Sequence, residues 1–232
     1  MTYLQQFTDF LKTIDLTEYR KRYAKIKIVE MDMPKNVLAI PLLYTVYWNE
    51  KRFIEFEEFY KLYLKKYKIG LEEFRISTTL CKNDFYRGLR ARIYRTWSGL
   101  ITQIHAGYVA EVVFGNGSVS MSPELDYQGA DIRVGYKGHF LNYQIKKTSY
   151  SGVRSPRPRS TSNKLNGDWI YINYEVPNSW YFDNPTTKKG NYRKPYQRFM
   201  NDTRFKRLDN GFVIFTENVF LPKKIEIDSK QA

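Results

Sequence analysis

Residues 124–147 read ELDYQGADIRVGYKGHFLNYQIKK, and the pattern of this stretch decides the fold. Two β-type runs flank Gly135-Tyr136-Lys137-Gly138, so the spacing predicts a hairpin with a four-residue loop. With Val134 facing His139, Ile132 opposes Leu141 and Ala130 opposes Tyr143, which gives one apolar face. Side chains alternate along a strand, so Asp131, Asn142, Gln144 and Lys146 share the other face, with Asp131 opposite Asn142 and diagonal to Gln144. A carboxylate, an amide and an ammonium thus converge on one side of a strand pair whose other side is greasy. That arrangement suits a shared ion. An exposed cross-strand pair of Asp131 with Lys146 is the plainer reading of the same pattern.

Composition bounds what such a site acts on. At 232 residues the chain is long enough for a substantial core, and a single domain is expected, mainly helical over residues 1–100 with a catalytic core over 101–232. The net charge of +14 and pI near 9.6 point to a polyanionic partner, nucleic acid above all. Residues 132–232 carry 19 Lys and Arg against 8 Asp and Glu, so the basic surface lies mostly after Asp131. One cysteine, Cys81, excludes an internal disulfide and a cysteine zinc site. His105 and His139 are the only histidines, which leaves little material for a His-based metal site or a Ser-His-Asp arrangement. Catalysis here has to rest on carboxylates, lysine and hard metal ions. The opening MTYLQQFTDFLKTID lacks the apolar run of a secretory signal, and the apolar segment from Val37 to Trp48 contains Pro41 and is too short to span a bilayer. A cytoplasmic protein with no membrane association is expected.

Upstream, residues 3–14 and 52–67 repeat apolar side chains at helical spacing, while Pro34 and Pro41 predict a loop before Trp48. The longest predicted helix runs from Asp84 to Phe114, with a possible break at Ser98-Gly99, and buries the row Leu89, Ile93, Trp97, Leu100, Ile104 and Tyr108. Continuing the row by three reaches Glu111. A carboxylate at the end of an apolar stripe points outward, pairs with a cation or holds a metal. Gly115-Asn116-Gly117-Ser118 can fold this helix end back on the hairpin.

At the hairpin the sequence resembles the PD-(D/E)xK nuclease superfamily, the fold of most type II restriction endonucleases and several DNA-repair nucleases. Its signature is an acidic residue at the start or bend of one strand, then an acidic residue, any residue and a lysine on the next. Asp131 matches the first part and Gln144-Ile145-Lys146 the second, with Gln144 where Asp or Glu is usual. Glu111 matches the family's upstream helical glutamate. The resemblance covers residues 101–148. It implies an α/β fold with a restriction-endonuclease-like core, a central mixed β-sheet flanked by helices, and a mainly helical N-terminal region. It further implies Mg²⁺ held by Asp131, the Gln144 side-chain oxygen, the Ile145 carbonyl and Glu111, with Lys146 at the attacking water. Asp126 and Glu124 are rivals for the acidic roles, and Asp126 gains if Gly129 marks a bulge.

The chemistry suits these residue types on its own terms. Phosphodiester hydrolysis needs an activated water and cations against the charge of the transition state, and carboxylate-held Mg²⁺ meets both needs with few protein ligands. Beyond the hairpin, SYSGVRSPRPRSTSNKLNG carries Arg154, Arg157, Arg159 and Lys164 without an acid, and reads as an arm that tracks phosphates or enters a groove, or as a solvated loop. Lys147, Lys188, Lys189, Arg193, Lys194 and Arg198 extend the basic surface among aromatic residues, a composition suited to duplex DNA. Residues 169–176 predict a strand beside the hairpin, 211–220 a buried strand and turn, and 222–228 an edge strand. The reading that emerges is a type II restriction endonuclease acting as a homodimer on double-stranded DNA, with a cognate DNA methyltransferase encoded separately. A repair or structure-specific nuclease and a non-catalytic nucleic-acid-binding module are the alternatives.

Overall fold

Helix formation in the first hundred residues follows from aromatic side chains spaced to fall on one stripe. A computed structural model describes residues 1–23, 25–26, 33–148 and 165–230, which divide into two compact units, 1–104 and 105–232. In the first unit, α1 (Tyr3–Thr13) starts at a capping box. Thr2 accepts from the Gln5 amide, and the Gln5 side chain accepts from the Thr2 amide. After α2 (Leu16–Tyr23), the predicted loop at Pro34 and Pro41 is instead a 3₁₀ turn over Lys35–Val37 and a short helix, α3 (Ile40–Leu43), with Pro41 in its first turn. Proline is tolerated there because its missing N–H needs no partner. The chain then widens into a π turn over Tyr44–Asn49.

α4 (Phe56–Lys66) buries Phe56, Phe59, Tyr60 and Tyr63, as its spacing predicts, and α5 (Lys68–Ser77) follows. Polar groups of three buried rings find partners: Trp97 donates to the Tyr47 hydroxyl (2.7 Å), Tyr47 to the Ile54 carbonyl and Tyr63 to the Val37 carbonyl (2.7 Å). These rings are core, not a base-stacking surface. α6 (Lys82–Phe114) runs 33 residues without the break expected at Ser98-Gly99, and the boundary between the units falls within it. The expected stripe from Leu89 to Tyr108 is buried, so tertiary packing outweighs the cost of the helical glycines Gly88, Gly99 and Gly107.

The second unit is built on a mixed sheet of order β1 (Val119–Ser120), β2 (Ile132–Tyr136), β3 (His139–Thr148) and β4 (Asp168–Glu175). The first two pairings are antiparallel and β3 pairs with β4 in parallel. The predicted hairpin is present, but its loop is two residues long. Lys137 (φ 46°) and Gly138 (φ 79°) both take the left-handed conformation of a type I′ turn, whose twist matches the strands it joins. Tyr136 therefore pairs with His139, Val134 with Leu141, Ile132 with Tyr143 and Arg133 with Asn142. The register is shifted by two from the expectation, and a shift of two leaves every side chain on its expected face. Ile132, Val134, Leu141, Tyr143 and Ile145 are all buried.

A short helix, α7 (Pro123–Tyr127), precedes β2, and its end sets the approach to Asp131. Gly129 donates to the Asp126 carbonyl and Ala130 to the Leu125 carbonyl, the paired bonds of a Schellman close, so Gly129 ends a helix and is no strand bulge. Downstream lie α8 (Ser179–Asp183), α9 (Lys194–Asn201) and a two-stranded sheet of β5 (Phe205–Arg207) with β6 (Val213–Phe215). The segment 222–228 is not an edge strand; it belongs to α10 (Leu221–Ser229). Asp228 on this helix accepts from Tyr136 (2.8 Å), Lys137 (2.7 Å) and Lys224 (2.6 Å), which ties α10 to the hairpin turn. These three donors hold its carboxyl well below the usual carboxylate range.

Candidate active site

The site grows from the point where the chain leaves α7 and joins β2. Asp131 sits just before the strand and brackets Gln144: its amide donates to the Tyr143 carbonyl (2.9 Å), and its Oδ2 accepts the Ile145 amide (2.5 Å). The carboxylate is buried, at 7% exposure. Its pKa is pushed up to about 7, first by burial and then by Asp126, whose side chain hydrogen-bonds to it; the Ile145 amide and Lys146 act in the opposite sense. Two carboxyl groups in contact, one of them buried, hold a proton between them near neutral pH, and a cation is what would replace that proton.

Sign and consequence follow from the raised pKa. Between the ordinary aspartate range and about pH 7 the native protein holds a proton that the unfolded chain releases, so stability falls as pH rises through that window. With chelator present, the melting temperature should drop from about pH 5 to about pH 8, and Asp131→Asn should flatten the drop. Equal slopes in both proteins would remove Asp131 as the source.

Gln144 and Lys146 lie on the face of β3 opposite the buried Tyr143 and Ile145, both partly exposed. Lys146 pairs in register with Asn173 on β4. The Ile145 carbonyl points to the same strand edge as its amide, toward Asp131. Among the sequence-predicted residues, Asp131, Gln144, Ile145 and Lys146 are thus neighbours. Glu111 is engaged elsewhere: its Oε1 accepts the Gly117 amide (3.0 Å), closing the turn after α6. Glu124 is exposed and bonds Ser122 at the start of α7, which holds its carboxyl below the usual range. Asp126 is the acid that reaches Asp131. The signal for it was the helix start at Ser122-Pro123 and the stop at Gly129, which place Asp126 in the last turn of a short helix just upstream of the strand. Among the described residues no three His, Cys, Asp or Glu side chains converge as a complete metal cage. The local donors are all oxygen, which fits a hard cation that keeps its waters. His105 is buried and kept neutral by burial, its pKa pushed down to about 3.

The basic residues separate by place. Lys147 alternates to the face opposite Lys146. Lys188 and Lys189 form the exposed tip of a loop closed by the Thr186–Tyr192 bridge, and Arg193 stacks on Trp180 at 4.6 Å. Lys194 opens α9, and Arg198 lines a cavity of about 270 Å³ with Asn173, Glu175 and Arg204. Arg154, Arg157, Arg159 and Lys164 lie outside the described residues.

Comparison with known proteins adds the family. Residues 4–226 match the family described as TaqI restriction endonuclease. The chain belongs to the TaqI restriction endonuclease family. This family places it among the site-specific endodeoxyribonucleases. The type II restriction enzyme TthHB8I of Thermus thermophilus is 31% identical over 226 residues, covering 93% of this chain and 84% of the relative. The type II restriction enzyme TaqI of Thermus aquaticus is 32% identical over 235 residues, covering 97% and 87%. No solved structure matches. As in other members of a restriction endonuclease family, the partner is double-stranded DNA, and no helix among the described residues is long and apolar enough to cross a membrane.

Proposed function

We propose that residues 105–232 carry out Mg²⁺-dependent hydrolysis of a phosphodiester in each strand of a specific duplex sequence, at Asp131, Gln144, Ile145 and Lys146. The observation that carries this reading is the buried Asp131 carboxylate, bonded to Asp126 and placed near Lys146 at the entry to β2. The similarity to the PD-(D/E)xK pattern supports it. Asp131, the Gln144 side-chain oxygen and the Ile145 carbonyl would hold the ion. Asp126 takes the second acidic place that Glu111 was expected to fill. When bound, the ion supplies Lewis-acid stabilisation of phosphate charge and lowers the pKa of a coordinated water.

The chain's own groups do the rest. Lys146 orients the attacking water and faces the charge that builds on phosphorus. Asp131 must give up its proton before it can serve as a ligand, so the Mg²⁺ requirement should rise as pH falls below about 7. Glutamine at 144 contributes a neutral oxygen, so one ion is held well and a second depends on the DNA phosphate. The protein acts as a homodimer, which presents one site to each strand of a palindrome. A separately encoded methyltransferase protects the host sequence.

The test is incubation of the purified protein with long duplex DNA and Mg²⁺. Discrete fragments are the expected result. A smear would indicate a nuclease without sequence choice, and intact DNA with a gel shift would leave only a binding module.

A further inference from the structure

Several arginines in this protein are spoken for by acids. Arg22, Arg52, Arg75, Arg90 and Arg204 each hold a carboxylate partner, from Glu18, Glu50, Glu72, Glu57 and Asp202. Arg133 has none among the described residues, yet it is firmly held. Its guanidinium lies 4.4 Å from the Phe140 ring centre, and its Nη2 donates to the Asn166 side-chain oxygen. Asn166 is itself fixed, because its carbonyl accepts from the fully buried Asn142 side chain (3.0 Å), the cross-strand partner of Arg133. A guanidinium has five N–H donors, and stacking with one hydrogen bond leaves most of them for a ligand. A partly buried cation without an acid, immobilised on a ring, is preorganised for an anion with two parallel oxygens.

Its position names that anion. Arg133 lies two residues along β2 from Asp131 and on the same face, so the two backbones are about 7 Å apart at the usual strand rise, within the reach of neighbouring phosphates of one DNA strand. We propose that Arg133 clamps the DNA phosphate next to the scissile one and so sets which phosphodiester lies over Asp131. This rests on the reading of Asp131 as the cleavage centre. Arg133 is a positioning residue and touches no reacting atom.

The test uses the full chain, cognate duplex whose cut position has been mapped, and duplexes carrying a neutral methylphosphonate at the phosphate on either side of the cut. Arg133→Ala should slow subsaturating single-turnover cleavage of natural DNA about 10- to 100-fold and lower the log–log salt slope of binding by about 1. At one of the two flanking positions, the methylphosphonate should slow the unsubstituted protein comparably and slow Arg133→Ala hardly further. Penalties that simply multiply at both positions would overturn the clamp. So would relaxed sequence preference with an unchanged salt slope, which marks a base contact. If Arg133→Ala melts, Arg133→Gln keeps the stem over Phe140 and a donor for Asn166, and the same comparison applies. Natural DNA left intact by the unsubstituted protein overturns the nuclease reading and the clamp with it, whereas cleavage with multiplying penalties overturns the clamp alone.

Discussion

Asp131→Ala and Lys146→Ala are expected to lose at least about 10³-fold in cleavage rate while still shifting cognate duplex in Ca²⁺, because each removes a group that acts on the transition state and not on bound DNA. Asp131→Asn is the gentler control, since an amide preserves the bond that Oδ2 accepts from the Ile145 amide. It removes the charge and keeps the shape. Burial and the neighbouring Asp126 already disfavour the ionised carboxylate, so the asparagine protein should melt no lower than the parent near neutral pH. Single-turnover cleavage, gel shift and thermal melts on the same preparations separate chemistry from binding and folding. Cleavage retained by either alanine variant would end the assignment of roles, and loss of binding together with a lowered melting point would make the effect structural.

Gly167→Ala is expected to destabilise the second unit by about 3 kcal/mol or more, as a mutation that forces backbone against backbone does. Gly167 has φ +108°, a conformation that alanine rarely adopts, and a Cβ built there lies 2.2 Å from the Phe140 carbonyl oxygen and 2.7 Å from its Cβ. No flexible side chain can yield, because the nearest atom is main chain. The substitution strikes where β4 begins its parallel pairing, with Leu141 beside Asp168. Chemical denaturation measures the loss. A change of less than about 1 kcal/mol would mean that β3 and β4 separate there at little cost. Because Asn166 and Phe140 also fix Arg133, a folded Gly167→Ala protein should show part of the Arg133→Ala phenotype.

The sheet face bearing the candidate site was legible in the sequence because alternation has period two. The hairpin slipped by two residues from the expected register, and Asp131, Gln144 and Lys146 stayed together. The turn itself was misread because a non-glycine residue at positive φ leaves little local signal; Lys137 takes it with its ammonium on Asp228, distant in sequence. Glu111 was reached by extending an apolar stripe, which says where a side chain starts and not what it meets. Its meeting with Gly117 depends on a loop. The segment 222–228 looked like a strand through Ile225 and Ile227, but so short an alternation also fits a helix. The ion pairs Lys224–Asp228, Lys223–Glu226 and Glu226–Lys230, three and four residues apart, carried the helical signal. Arg133 left no sequence signal beyond its charge, since what singles it out is its seat on Phe140 and Asn166 two residues along β2 from Asp131.

The mixed pairing of β3 has a kinetic consequence. Its antiparallel partner β2 lies across a two-residue turn, whereas its parallel partner β4 lies beyond a long intervening segment. A hairpin closes in about 1–10 μs, and pairings between distant segments wait on a larger loss of chain entropy. Asp131, Gln144 and Lys146 should therefore be brought together early in refolding, with the Asn166 and Phe140 seat of Arg133 completed only when β4 docks. Pulse-labelled amide exchange during refolding should show Ile145 protected before Ile172.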